Sequence, residues 1–417
     1  MDEPSSTSEN SFRALLRQRD FVLFWLSRWT AVLAVQVESV ALSWQVYDIA
    51  RRTMDVKHSA FMVSLIGLVS FIPVLLLALP AGETADRHDR KAIMLFCLAG
   101  EIASVAVLTA AAAMHFATIP LLLGVAFVFG AARAYFSPAS TAVGPMLVPR
   151  ALLPRAIAWN SLAWQTASVG GPALGGLLVA ISPAHSYGAA LVLYVVASGC
   201  TLLIAQSTQP TVQPGSRWSL MKEGLAYVWR NKIVFGSISL DLAAVILGGA
   251  TALLPVFAKD VLHIGPEGFG LLRAAPAAGA AVVALVLAGR PIHRKAGLWM
   301  FTGVAIFGAA TVVFGLSKIL WLSLLALAVL GAADMVSVYI RQTLVQLVTP
   351  DHMRGRVATV SSLFIGASNE LGEFESGVVA RFLGPVGAAV FGGVGALTVT
   401  AIWARLFPAL RKADRLD

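Results

Sequence analysis

Eleven ionisable side chains fall inside stretches of strongly apolar sequence: Arg28, Glu38, Glu101, Arg133, Asp241, Arg273, Asp334, Arg341, Glu370, Glu373 and Glu375. A charge at the centre of a membrane helix costs about 2.5 to 3.5 kcal/mol on insertion scales, so each is a functional candidate by default. Their chemistry is proton binding and ion pairing. Helical spacing puts Glu370 and Glu373 on one face and turns Glu375 away. Two neighbouring carboxylates in a partly dry cavity compete for the same countercharge, which is what a proton-coupling site needs. Static pairing is the other reading, for example Arg341 with Asp334 one heptad before it.

Other chemistries find no support. The seven histidines stand singly, no His-Glu-x-x-His occurs, and no Gly-x-x-x-x-Gly-Lys-Ser/Thr loop is present, so neither an enzyme, a metal site nor an ATP-driven pump is expected. Cys97 and Cys200 sit within apolar runs and read as small packing residues. No cofactor is expected.

The elements that must position these charges are membrane helices. Of 417 residues 58% are hydrophobic and 13% charged, against about 25% charged in soluble domains. Runs long enough to cross the roughly 30 Å hydrocarbon layer recur twelve times. The expected class is an all-α integral membrane protein of twelve transmembrane helices in two pseudo-symmetric six-helix bundles. The predicted boundaries are a polar tail 1–20, a first bundle 21–206, a linker with an amphipathic helix 207–232, a second bundle 233–407 and a tail 408–417. The tail lacks the basic start and short apolar core of a cleaved signal peptide.

The +9 net charge sorts by topology and not toward nucleic acid. Of 31 lysines and arginines, 21 fall on the side of the two termini, six opposite, and four within spans. Both termini are therefore expected in the cytoplasm, with the chain in a bacterial inner membrane. Offsetting the chain by 201 residues sets Gly130-Ala-Ala-Arg133 over Gly331-Ala-Ala-Asp334 and keeps register through Pro149/Pro350, Arg155/Arg356, Gly171/Gly372 and Gly176/Gly377. The repeat makes Arg133 and Asp334 equivalent positions of opposite sign, which could face one another. Two parallel halves place the substrate site between them at midplane.

Gly82-Glu-Thr-Ala-Asp86-Arg87-His-Asp-Arg90-Lys91 follows the second span. It resembles the major facilitator loop signature Gly-x-x-x-Asp-Arg-x-Gly-Arg-Lys, with Asp89 where that signature has Gly. The resemblance implies a cytoplasmic latch made by Asp86 and the basic residues. In the fifth span, Ala167-Ser-Val-Gly-Gly171-Pro172-Ala-Leu-Gly175-Gly176 resembles the antiporter signature, its first glycine replaced by Ala167. Close helix packing alone would also produce these small residues.

Further wording, such as Gly265-Pro-Glu-Gly-Phe-Gly-Leu-Leu272 and Thr349-Pro-Asp-His-Met-Arg-Gly-Arg-Val357, is similar to the enterobactin-exporter-like branch of that superfamily, which also holds drug efflux proteins. The resemblance implies a monomeric secondary transporter that exports small amphipathic compounds against protons. Its partners would be a small-molecule substrate, the proton and membrane lipid. Uptake, or lipid or lysophospholipid flipping on the same fold, are the alternatives. Glu38, Arg133, Asp241, Asp334, Glu370 and Glu373 are the expected coupling or cavity residues, and Tyr135 and Phe136, beside Arg133, the expected substrate-lining aromatics.

Overall fold

The structure, a computed structural model, describes residues 14–209, 217–411 and 413. The outer parts of both tails (1–13, 412 and 414–417) and 210–216 of the linker lie outside the described residues, so the assignments made there are not examined.

Every described regular element is helical. The first half runs α1 Arg19–Arg51, α2 Val56–Arg87, α3 Arg90–Ala113, α4 Ile119–Val143, α5 Leu153–Ile181 and α6 Pro183–Leu202. A linker helix, Arg217–Arg230, precedes the second half. There α7 starts as Lys232–Leu247, and α8 Pro266–Gly289, α9 Ala296–Leu316 and α10 Leu320–Val348 follow. The last helix, Asp351–Leu406, has 56 residues and breaks at Gly384, whose φ of 77° lies in the left-handed region that glycine tolerates, with Pro385 directly after it. At 1.5 Å per residue it is far too long for one crossing. Its limbs, α11 (351–384) and α12 (385–406), are two spans.

Ten helical stretches are long and apolar enough to cross a membrane, the Asp351–Leu406 helix counting once among them. Its division adds an eleventh. The twelfth is α5, 29 residues long but diluted by Asn160, Ser161, Gln165 and Thr166. The repeat reappears in the helix starts: α4 begins at Ile119 and α10 at Leu320, 201 residues later.

The chain packs as two compact units. One holds residues 1–42 and 72–214. The other holds 43–71 and 215–417, so the far end of α1 and the near end of α2 pack with the second half.

In the first unit α3 runs along α6 and α4. The glycines of α5 admit α1 closely: a Cβ on Gly171 would stand 2.5 Å from Gln36 Cβ, and one on Gly175 would stand 3.0 Å from the Val37 carbonyl. In the second unit Gly372, the repeat partner of Gly171, meets α7 in the corresponding way, with Val245 O 2.5 Å from its would-be Cβ. Small residues let backbones touch where lipid supplies no hydrophobic drive between helices. At that crossing α7 stops being regular. After Gly248 and Gly249 it continues as a 3-10 turn, a short helical turn at Pro255, and a π-helical segment Phe257–Val261.

Candidate functional site

In the second unit three charges gather between α7 and α10. Arg341 Nη1 lies 3.2 Å from Asp241 Oδ2, with side chains only 2% and 7% exposed. Asp334, two turns before Arg341 on α10, is close enough for both charges to act on it. Arg341 is not satisfied by this pair: its Nε and Nη1 make no hydrogen bond. A cavity of about one water's size adjoins, lined by Asp241, Ala244, Val245, Val304, Phe307, Asp334 and Ser337. Two acids stand against one base, with Arg341 and Asp241 buried and Asp334 half-buried.

A second cluster forms where α1 and α2 join the second unit. The π-helical segment of α7 carries Lys259 and Asp260 side by side. Lys259 pairs with Asp48, and Asp260 accepts from Tyr47 and from Arg51 Nη2 at 3.2 Å. Trp44 stacks on Phe269 at 5.8 Å between centroids, with the Lys259 ammonium over its ring. On α2, Lys57 donates to the Phe382 carbonyl at 3.0 Å, Arg381 lies over Phe61, and Ser64 faces Gly377. Lys259 and Asp260 are consecutive in this π-helical segment, and both reach α1. Asp55 starts α2 by accepting from the His58 amide at 2.9 Å, and that contact, with the His58 ring next, holds its carboxyl below the usual range.

In the first unit Glu38 and Glu101 are both buried, at 4% and 6% exposure, with Tyr187 and Tyr194 of α6 beside Glu38. The loop after α2 is well bonded. Asp89, the departure from the signature, has φ −58° and serves as N-cap of α3, accepting from Lys91 N and from Thr208. No glycine is needed there. Lys91 Nζ reaches the Leu202 and Ile204 carbonyls at the end of α6, 2.9 and 2.7 Å away. Arg90 bonds to Ala85 O and Met146 Sδ, and Arg87 pairs with Glu83 one turn back. Gly82 is buried and Asp86 half-buried.

The sequence profile of a family described as "Transmembrane secretion effector" matches residues 10–417. The chain belongs to that major facilitator family. It is similar to the multidrug efflux pump Tap of Mycobacterium tuberculosis, 26% identical with 91% of each chain covered. It is also similar to the enterobactin exporter EntS of Citrobacter koseri, 27% identical over 94% of this chain and 92% of the relative. Among solved structures, a POT family transporter crystallised with 5-aminolevulinic acid superposes at a TM-score of 0.74 with 11% identity, covering 94% of this chain and 96% of that one. At that identity the likeness speaks for the fold. The chain is a multi-pass membrane transporter for small molecules and not an enzyme.

Within this family fold the expected residues scatter. Arg341 meets Asp241, with Asp334 two turns before it on the same helix, and Glu38 and Glu101 are both buried in the first unit. Glu373 lies against α2, its Oε2 3.2 Å from a would-be Cβ on Gly67. Glu370 and Glu375 are half-buried on the same helix, Arg28 and Arg273 half-buried, and Arg133 exposed. Tyr135 and Phe136 pack against an apolar cluster of the first unit that includes Phe24, Met94 and Leu147. Sequence reasoning missed Tyr47, Asp48, Arg51, Lys259 and Asp260 as a group, having read the basic ones only as topology signals. The signal was there: opposite charges at the ends of spans, where long side chains reach across.

Proposed function

We propose that this transporter exports small amphipathic compounds of siderophore-like or drug-like type from a bacterial cytoplasm, by alternating access driven by protons moving inward. The observation that carries the reading is the Asp241–Arg341–Asp334 group beside its cavity. Two carboxylates and one guanidinium balance only with one proton, so a substrate or a proton arriving there changes the charge the helices must accommodate. The names of Tap and EntS support the direction and the cargo class. One proton moving through 100 mV supplies about 2.3 kcal/mol, enough for roughly fiftyfold accumulation.

In the proposed orientation both termini face the cytoplasm, and the loop bearing Asp86 lies on that side as the latch. The Tyr47, Asp48, Arg51, Lys259 and Asp260 cluster then lies at the outer face and must part before cargo leaves outward. The test compares intracellular levels of a catecholate siderophore, a macrolide and an amphipathic dye in cells lacking and expressing the protein, then in proteoliposomes with and without a proton gradient. Lower accumulation that vanishes on collapsing the gradient supports the reading. Unchanged uphill export without a gradient, or increased accumulation on expression, overturns it.

A further inference from the structure

We propose that one strip of α1, with the adjoining side of α5, forms an anion-selective subsite for cargo, in which Arg28 pairs with a carboxylate or similar anionic oxygen while Trp25, Trp29 and Trp159 hold the attached aromatic ring. The inference names the cargo class of the export reading and rests on it. Within the first unit α1 buries Ser27, Thr30, Ala34, Val37 and Ala41, which recur on one side of the helix. Trp25, Arg28, Trp29, Val32 and Gln36 recur on the opposite side and are only partly buried. Arg28 stands nine residues into α1, about 13.5 Å along its axis. A guanidinium at that depth faces water or a partner and not acyl chains.

Among the described residues Arg28 makes no hydrogen bond and no ion pair. The side chains around it are firmly placed. Trp25 Nε1 donates to the Trp159 carbonyl at 2.9 Å, and the two rings meet edge-on at 5.4 Å between centroids. Trp29 lies parallel to Trp25 at 6.3 Å, and its Nε1 donates to Thr166 Oγ1 at 3.1 Å. These contacts join the strip of α1 to α5, which carries Ser161 and Thr166 exposed and Gln165 half-buried. Lipid leaves such polar groups without partners, so in a spanning helix they serve a wet or ligand-bearing face.

Charge and shape together select the occupant. A guanidinium whose fork is free calls for an anionic oxygen pair, and indoles beside it offer flat faces to an aromatic ring. The strip itself carries no acid. Of the two acids of α1 on either side of Arg28, Asp20 accepts from the Ala205 and Gln206 amides, and Glu38 lies on the buried side. An uncharged or cationic amphiphile leaves the Arg28 charge uncompensated, whereas an aromatic acid brings its counterion. A lipid phosphate would supply the charge without a ring, and the three indoles favour the cargo.

The experiment uses the full-length protein in phosphatidylcholine nanodiscs, without a gradient, and reads tryptophan-to-dansyl energy transfer with dansylglycine and with its uncharged methyl ester. Unlabelled 2-naphthoate and its methyl ester serve as competitors. Each acid should bind at least about tenfold more tightly than its ester, the size of one charge-assisted contact. Arg28→Gln should remove that preference by weakening the acid alone, Arg28→Lys should keep part of it, and Trp29→Leu should weaken acid and ester together. Because Arg28 has no protein partner to strand, Arg28→Gln should keep or raise the thermal midpoint. Equal affinity for acid and ester in the wild type, a preference that survives Arg28→Gln, or a lowered midpoint in that variant would overturn the proposal. Replacing part of the lipid with phosphatidylglycerol separates the two anion sources: if it displaces dansylglycine only where Arg28 is present, the guanidinium belongs to lipid phosphate and the cargo subsite fails. Binding is read without a gradient, so loss of gradient-driven export leaves this result standing, and failure here leaves export of uncharged compounds to its own assay.

Discussion

Arg341 on α10 reaches across to Asp241 on α7, 3.2 Å away, although Asp334 stands on its own helix one heptad earlier. The pairing ties two helices where an intrahelical pair would tie none. Breaking a buried pair by removing one partner typically costs about 3 to 5 kcal/mol, whereas replacing both with apolar residues of similar size is close to neutral. Arg341→Met alone is therefore expected to lower the thermal midpoint in detergent strongly, and Arg341→Met with Asp241→Leu to recover most of the loss. Additive losses would show that the two side chains do not couple.

Gly331 marks a backbone contact of the same unit. A Cβ there would stand 1.9 Å from the Pro276 carbonyl oxygen, so Gly331→Ala must push α8 and α10 apart. Overpacking of this kind costs about 1 to 3 kcal/mol. Gly366→Ala on α11 is the control, since nothing lies within 4 Å of its would-be Cβ. It should be neutral or stabilising by up to about 1 kcal/mol, because alanine is the better helix former. Equal thermal midpoints for the two variants would remove the close-packing argument.

Asp260 serves Tyr47 and Arg51 together. Asp260→Asn keeps the shape and removes the charge that holds both, so the turn between α1 and α2 should separate from α7 more often. Ser64→Cys, placed against Gly377, reports it: thiol labelling should speed up in the Asp260→Asn background. An unchanged labelling rate would mean that the cluster does not control this contact. These side chains keep roughly a quarter of their surface exposed, so the stability change itself should stay small, about 1 kcal/mol or less.

The loop after α2 divides into a bonded part and a proposed latch. Lys91→Ala removes a cation from the last carbonyls of α6, a contribution of about 0.3 to 1 kcal/mol, readable as a modest drop in thermal midpoint with transport retained. Asp86→Asn is expected to act on conformation and to raise labelling of cysteines placed on the cytoplasmic side. If only stability changes, the latch role fails.

Asp55 gives a pH dependence. Its carboxyl is held below the ordinary range by the His58 amide and ring. The stabilisation is thus fully present above the unfolded-state value and is lost as pH falls through the lower folded-state value. Asp55→Ala should reduce the thermal midpoint near neutrality and make no difference at strongly acidic pH. A deficit that persists in acid would show that the cap does not depend on the charged carboxylate.

The linear sequence determined the membrane class, the twelve crossings and the internal repeat. These follow from local properties: apolar run length set against bilayer thickness, and an offset of 201 residues that returns in the starts of α4 and α10. It also marked Asp241, Asp334, Arg341, Glu38 and Glu101 as costly, because a charge in an apolar run is legible by itself. It could not say which of them meet. Asp241 and Arg341 are 100 positions apart. Their meeting depends on which helix faces which, a choice made by small residues such as Gly175, Gly279, Gly331 and Gly372 that let particular backbones touch. The π-helical turn that aims Lys259 and Asp260 at α1 was equally hidden. Such a widening stores no sequence pattern of its own and is held in place by the partners it reaches, which only the tertiary fold supplies.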